Sequence, residues 1–231
     1  MSKIIIENIN EWSRKPFDKK TIQELENLKK NESELKDSFY KNLEFGTGGM
    51  RGIMGVGTNR INKYTIGKNT QGISNFINKQ KNISKKVVIA FDCRKNSQKL
   101  ANIVANIFSA NGIKVFLFSS LRPTPELSYA VRKLNCICGI VLTASHNPPK
   151  YNGFKVYWSD GGQIVPPIDQ KLINEINKID FTHINFKSNH SLIEIIKDEF
   201  DDDFINICLK NGINKNVNTR HNNTIVFTAL H

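Results

Sequence analysis

Apolar positions change period several times along the chain, and each change marks an element. Over residues 1–44 the spacing is helical, with Ile22, Leu25 and Leu28 on one face, Leu35, Phe39 and Leu43 on another, and charges between. This predicts a helical lead that packs on the first domain. Ile66, Ile73, Phe76 and Ile77 predict an amphipathic helix over 65–79. Val87 to Phe91 is a short apolar run of strand type. Leu100, Ile103, Val104, Ile107 and Phe108 recur at i, i+3, i+4, i+7 and i+8, a helix that Asn96 or Ser97 caps and Gly112 ends. Ile113 to Phe118 reads as another strand. Thr124 is placed to cap the next helix with Pro125 at its first position, and Leu127, Val131 and Leu134 face inward. Ile137 to Leu142 is a continuous apolar run of buried-strand type, and Gly153 to Trp158 alternates as a strand. Pro166-Pro167 introduces a helix to about Ile179. Residues 180–190 are polar and irregular, a linker by composition. From Ser191 a helix with Ile193, Ile196 and Phe204 is predicted to begin a second unit, and Thr224 to Phe227 reads as a strand.

Strands alternating with helices predict a three-layer α/β/α domain. The strand at Gly153 follows its predecessor too closely for a crossover helix, so it should run antiparallel and make the sheet mixed. The predicted organisation is a helical lead over 1–44, an α/β domain over 45–185, and the incomplete start of a second α/β domain over 186–231.

Chemistry concentrates where those two strands meet. Thr143 to Lys155 reads T-A-S-H-N-P-P-K-Y-N-G-F-K, a polar loop at the end of a core strand, which is where open α/β sheets place their sites. Ser145 is a poor nucleophile unless a neighbour takes its proton or its oxygen is already modified. Pro148 and Pro149 fix two φ angles and lower the entropy cost of holding the loop. Lys155 starts the second strand, where it could return to the loop as a phosphate-binding cation or a proton shuttle. Ser, Asn and Pro are also common turn residues, so the Ser145-His146 pair taken alone reads first as part of an ordinary turn.

Gly46 to Gly57 is glycine-rich but fits neither the dinucleotide pattern, since Arg51 stands where a third glycine should, nor the Walker pattern, which needs Gly-Lys-Ser/Thr. A glycine loop carrying Arg51 suits the approach of backbone and guanidinium to a phosphate.

The 231 residues carry a net charge of +12, 39% hydrophobic and 23% charged residues, which is the composition of a globular chain. The excess charge is spread over single lysines and short pairs without interleaved aromatics, so a nucleic-acid partner is not indicated, while a basic field would steer an anionic substrate. No stretch approaches a membrane span. Cys93, Cys136, Cys138 and Cys208 lack paired ligand spacing and read as small buried hydrophobes in a reducing cytoplasm. Asp201-Asp202-Asp203 does not read as a metal site, because consecutive helical residues point in different directions.

T-A-S-H-N-P-P-x-Y-N-G-F-K resembles the active-site serine loop of the α-D-phosphohexomutases, the phosphoglucomutase and phosphomannomutase family. L-E-F-G-T-G-G-M-R-G-I-M-G-V-G-T-N-R-I-N (Leu43 to Asn62) and R-P-T-P-E-L-S-Y-A-V-R (Arg122 to Arg132) support the likeness in the same order, which is most similar to the phosphoglucomutase branch. Asp92-Cys93-Arg94-Lys95-Asn96-Ser97 resembles the family's D-x-R-x-x-S turn, with Asp92 and Arg94 expected to order a loop rather than react. The resemblance implies a phosphosugar mutase that interconverts hexose 1- and 6-phosphates, glucose above all, through a phosphoserine at Ser145 and glucose 1,6-bisphosphate. It implies Lys155 as proton shuttle, Arg51 and His146 as supports of the phosphoryl group and loop, and Mg²⁺ with one ligand from phospho-Ser145. Family members have four domains, so the chain should cover the first and the opening of the second. The aspartate metal loop, the sugar-recognition loop and the second phosphate loop would then lie outside it, and the chain alone should be inactive. A non-catalytic phosphate- or partner-binding relic of a mutase, or specificity for mannose or pentose phosphates, stands as the alternative. Oligomeric state is not legible.

Overall fold

The computed structural model describes residues 1–81, 83–212, 224 and 226. The lead forms three helices, α1 (Lys3–Trp12), α2 (Lys19–Leu28) and α3 (Glu32–Phe39). Asp18 and Asn31 start the second and third by accepting hydrogen bonds from the backbone N–H groups of Thr21 and Glu34. Next come β1 (Gly49–Ile53), α4 (Lys63–Lys79), β2 (Lys86–Phe91), α5 (Ser97–Ala110), β3 (Lys114–Phe118), α6 (Thr124–Lys133), β4 (Cys138–Leu142), β5 (Tyr151–Trp158), α7 (Ile168–Asn177), β6 (Ile193–Ile196) and α8 (Glu199–Lys210). The strands form one mixed sheet in the order β1-β5-β4-β2-β3-β6. β4, β2, β3 and β6 are parallel, and β5 runs antiparallel between β4 and β1 as its short connection requires.

Central strands of such a sheet are covered on both faces, which is why Val87–Phe91 and Cys138–Leu142 read as unbroken apolar runs. One face packs Ile66, Ile73 and Ile77 of α4, Leu100, Val104 and Phe108 of α5, and Leu172 and Ile176 of α7. The other packs Leu127, Ala130 and Val131 of α6. Helices α5 and α6 therefore take opposite faces, and the chain leaves β2 toward β3 but returns to the far side of β2 as β4. This reversal opens a crevice at the carboxyl ends of β2 and β4.

Several local expectations change. The predicted N-cap of α6, Thr124, is its first residue; Pro123 caps it, and Pro125 sits one position further in, still among the N–H groups that need no helical partner. The predicted helix from Ser191 is a short turn followed by β6, because Val115–Phe118 of β3 offers a parallel edge to Ile193–Ile196. The second-unit reading of 186–231 thus includes an edge strand of the main sheet. Residues 180–190 are no free linker, since Phe181 and Ile184 are buried. They join Trp12, Phe17, Leu25, Phe39 and Tyr64 in a second core that fastens the helical lead to the domain. Trp12 is fully buried, with its ring 4.3 Å from Phe17 and 5.5 Å from Phe181. Cys136 and Cys138 are buried, and burial pushes both thiols up, Cys136 to about 12. Cys93 and Cys208 are exposed, contrary to expectation: Cys93 lies in the turn after β2, and α8, which carries Cys208, buries none of its residues. The strand expected over 224–227 lies outside the described stretch.

Helix α8 is fastened to α6 by Arg122. Its Nε donates to Asp201 at 2.7 Å and its Nη2 to Asp198 at 2.6 Å. Glu126, in the first turn of α6, lies 3.7 Å from the same guanidinium and is 3% exposed, with one carboxyl oxygen lacking any hydrogen-bond partner. Burial first, then the neighbouring Asp201 carboxylate, raises the Glu126 carboxyl to about 7.

Candidate functional site

Two loops share the crevice. The turn Asp92–Asn96 leaves β2 and the serine loop Thr143–Lys150 leaves β4, with Asp92 donating its backbone N–H to the carbonyl of Leu142 at 3.2 Å. Thr143 continues the ladder by donating its N–H to the Gly153 carbonyl at 3.1 Å, and its Oγ1 turns the chain by accepting from the Ser145 N–H at 2.9 Å. Ser145 then takes φ +56°, a conformation that costs a non-glycine residue energy and persists only where neighbours enforce it. Its side chain is exposed at the tip.

The enforcing neighbour is Arg94. Its Nη2 donates to the carbonyls of Ser145 at 2.5 Å and Asn147 at 2.6 Å, and its Nη1 to those of Pro148 and Tyr151, both at 3.2 Å. Asp92 holds the guanidinium from behind, with its carboxylate 3.5 Å from Nε. The same carboxylate accepts from the Ser97 Oγ at 2.8 Å. Asn152 completes the frame. It is fully buried, donates to Ser97 Oγ at 3.0 Å and to the Lys95 carbonyl at 3.1 Å, and accepts from the Gly153 N–H at 2.8 Å. Asp92 and Arg94 therefore order the loop, as the sequence suggested. Asn152 and Thr143 were not singled out there; the polar residue at the start of an otherwise buried strand was the available signal for the former.

Arg51 comes to the loop directly, its Nη1 donating to the Asn147 Oδ1 at 2.6 Å. Strand pairing explains this reach. Arg51 stands opposite Gly153, and antiparallel partners present their side chains to one face. Lys155 stands two residues along β5, opposite Gly49 and Val141, so it shares that face, while Phe154 and Val156 point into the core on the other. Lys155 is half-buried and forms no ion pair among the described residues. Glycine at 153 is required for the convergence, because a Cβ there would lie 2.5 Å from the Thr143 carbonyl oxygen and 2.9 Å from that of Met50. His146 is exposed beside Ser145, its Nδ1 3.5 Å from the serine Oγ, the outer limit of a hydrogen bond. Ser145, His146 and Arg51 are thus gathered at one exposed loop fixed from behind, while Lys155 shares the sheet face of Arg51 two positions along β5.

No group of three or more His, Cys, Asp or Glu side chains gathers as a metal site among the described residues. The serine loop offers one oxygen at Ser145, and the adjacent Asp92 carboxylate is committed to Arg94 and Ser97. The described residues alone do not fit a Mg²⁺ site. No helix among them is long and apolar enough to cross a membrane.

Residues 42–183 match the family model described as phosphoglucomutase/phosphomannomutase, alpha/beta/alpha domain I. A phosphoglucomutase of Staphylococcus aureus is 39% identical over 202 residues, covering 86% of this chain and 36% of the relative. A phosphopentomutase of Mus musculus is 38% identical over 175 residues, covering 72% of this chain and 28% of the relative. A phosphoglucomutase/phosphomannomutase family protein from Burkholderia thailandensis has the same fold, with a TM-score of 0.55 at 22% identity over 71% of this chain and 35% of its own. The chain thus spans about a third of the length of the curated relatives it matches.

Proposed function

Since the chain belongs to the phosphoglucomutase/phosphomannomutase family, we propose that it supplies the serine-loop domain of a phosphosugar mutase acting on glucose phosphates in the cytoplasm. In this reading Ser145 Oγ carries a phosphoryl group. The O–P bond to Ser145 breaks as a sugar hydroxyl oxygen bonds to phosphorus, giving glucose 1,6-bisphosphate. The bisphosphate turns over, and its other phosphoryl group returns to Ser145. Arg51 neutralises phosphoryl oxygens beside the loop, and His146 steadies the serine side. Lys155 accepts the proton of the attacking hydroxyl and returns it to the departing sugar oxygen. Transfer of this kind depends chiefly on positioning and charge stabilisation, and the grip of Arg94 on four loop carbonyls supplies the positioning.

Mg²⁺ would add charge neutralisation at the transferring phosphoryl group. A phosphorylated Ser145 would give it one ligand, with the other ligands from outside the described residues. The sugar-binding groups belong outside them too, so the 231-residue chain alone is expected to bind poorly and not turn over.

The observation that carries this reading is the exposed Ser145 hydroxyl, held at φ +56° where the β2 and β4 loops meet, with Arg51 bonded to the same loop. Incubation of the mutase that carries this domain, rather than the 231-residue chain alone, with glucose 1,6-bisphosphate and Mg²⁺, followed by intact-mass and peptide analysis, tests it. One added phosphate of about 80 Da on Ser145, absent from Ser145→Ala, is expected. No phosphorylation, or phosphate on another residue, would overturn it, as would glucose 1-phosphate turnover that survives Ser145→Ala.

A further inference from the structure

Helix α8 rests on the sheet domain lightly: none of its residues is buried. Phe200 and Phe204 lean on Tyr129 of α6, with ring centroids 5.6 and 5.7 Å away, and Phe200 also meets Phe118 of β3 at 5.7 Å. Lys133 pairs with Asp203 at 3.0 Å, where both side chains are about half exposed and the pair contributes little. What remains is the ion cluster around Arg122. There one guanidinium faces three carboxyl groups, Asp198 and Asp201 of α8 and Glu126 of α6.

Each nitrogen of that guanidinium donates to a group other than Glu126. Nε serves Asp201, Nη2 serves Asp198, and Nη1 serves the Ser120 hydroxyl and the Leu121 carbonyl. Glu126 Oε1 is left 3.7 Å from Nε, beyond hydrogen-bond reach and without a partner. The group that the Glu126 carboxyl meets is Asp201. The other elements packed on α6 bring no second cation among the described residues. β2 and β4 present Val88, Ala90 and Val141, and β5 presents Tyr157, a phenol that burial keeps from ionising. Two carboxyl groups that meet away from water cannot both stay ionised without cost. A proton on Glu126 resolves the conflict, because the carboxyl O–H then donates to Asp201 and becomes a hydrogen bond between α6 and α8.

We propose that Glu126 and Asp201 form a proton-operated latch: the proton held on Glu126 bonds α6 to α8, and its departure to solvent frees α8 while the sheet stays folded. The docked Glu126 carboxyl is raised to about 7, by burial first and by Asp201 second, against an ordinary 4.5 once α8 has left and water reaches it. Docking is therefore tightest in acid and weakens as pH rises through about 7. The latch lies apart from Ser145 and stands whether or not the mutase reading does.

Hydrogen–deuterium exchange of the protein that carries this domain tests it, read by mass spectrometry with labelling times scaled to the intrinsic exchange rate. Protection of residues 199–210 should fall about tenfold from about pH 6 to about pH 8, while residues 86–91 of β2 stay far better protected than α8 throughout. Glu126→Gln cannot ionise and its amide can still donate to Asp201, so α8 should stay protected across the range. Asp201→Asn, a change at a partly exposed position of α8, should move the fall to lower pH, because burial alone then opposes ionisation of Glu126. Four outcomes would overturn the proposal: protection of α8 that ignores pH, the wild-type fall in Glu126→Gln, a fall unshifted by Asp201→Asn, or equal protection of α8 and β2, which would mean that α8 opens only with the whole domain.

Discussion

Replacing Arg94 by alanine should loosen the serine loop before it unfolds the domain. The guanidinium side chain is 12% exposed and serves four carbonyls, two at 2.5–2.6 Å and two at 3.2 Å. A hydrogen bond from a charged donor is worth about 1.5–3 kcal/mol, and an ordinary one about 0.5–1.5 kcal/mol. Simple addition gives roughly 4–9 kcal/mol, but the carbonyls of Ser145 and Pro148 face solvent and water will replace their lost donor. Release of Ser145 from its positive φ returns a further ~1–3 kcal/mol. The net loss is then about 2–4 kcal/mol, which for a domain of this size lowers Tm by roughly 5–15 °C. Arg94→Lys should recover less than half, because one ammonium cannot match a planar fork that serves four acceptors. The assay is thermal unfolding combined with amide exchange at Asn147 and Tyr151, whose N–H groups close the loop onto Ala144 and Pro148. A melt within about 1 °C of wild type, with both amides still protected, would show that Thr143 and the two prolines hold the loop unaided and that the reasoning is wrong.

Two further perturbations test the geometry. Glu126 holds its proton to about pH 7 in the folded state, against an ordinary 4.5 once unfolded. The folded state therefore binds more protons in that window, and stability should fall by about 1–3 kcal/mol as pH rises from 4.5 to 7, then level off. Urea melts of Glu126→Gln should lack that slope, and an unchanged slope would assign it to other groups. Gly49 sits at φ +130°, where a Cβ would lie 2.0 Å from the Phe154 carbonyl oxygen. Gly49→Ala should therefore cost about 3 kcal/mol or more in urea melts. Gly46→Ala meets nothing within 4 Å and should be near neutral; equal effects would refute the steric account.

The sequence carried much of this because its strongest signals are local. Apolar runs gave β2, β3 and β4 and helical spacing gave α4 and α5, while the short serine loop forced β5 antiparallel. Arg51 was legible as a site residue, but its route to the loop through Asn147 depends on the β1–β5 register, which no local pattern shows. Ile193–Ile196 was misread because four residues with three isoleucines suit either period, and pairing with the edge of β3 decided it. Phe181 and Ile184 were hidden in a polar stretch, since their partners lie at the other end of the chain. The four-carbonyl grip of Arg94 was invisible for the same reason, although the Asp-x-Arg-x-x-Ser spacing pointed to an ordering role.

The contact of Trp12 and Phe17 with Phe181 also sets the order of assembly during synthesis. Trp12 and Phe17 can meet each other, Phe39 and Tyr64 early, but Phe181 joins them only after β1 to β5 have been translated. Until then that side of the ring cluster stays uncovered, and the helical lead completes its seat only once most of the sheet exists.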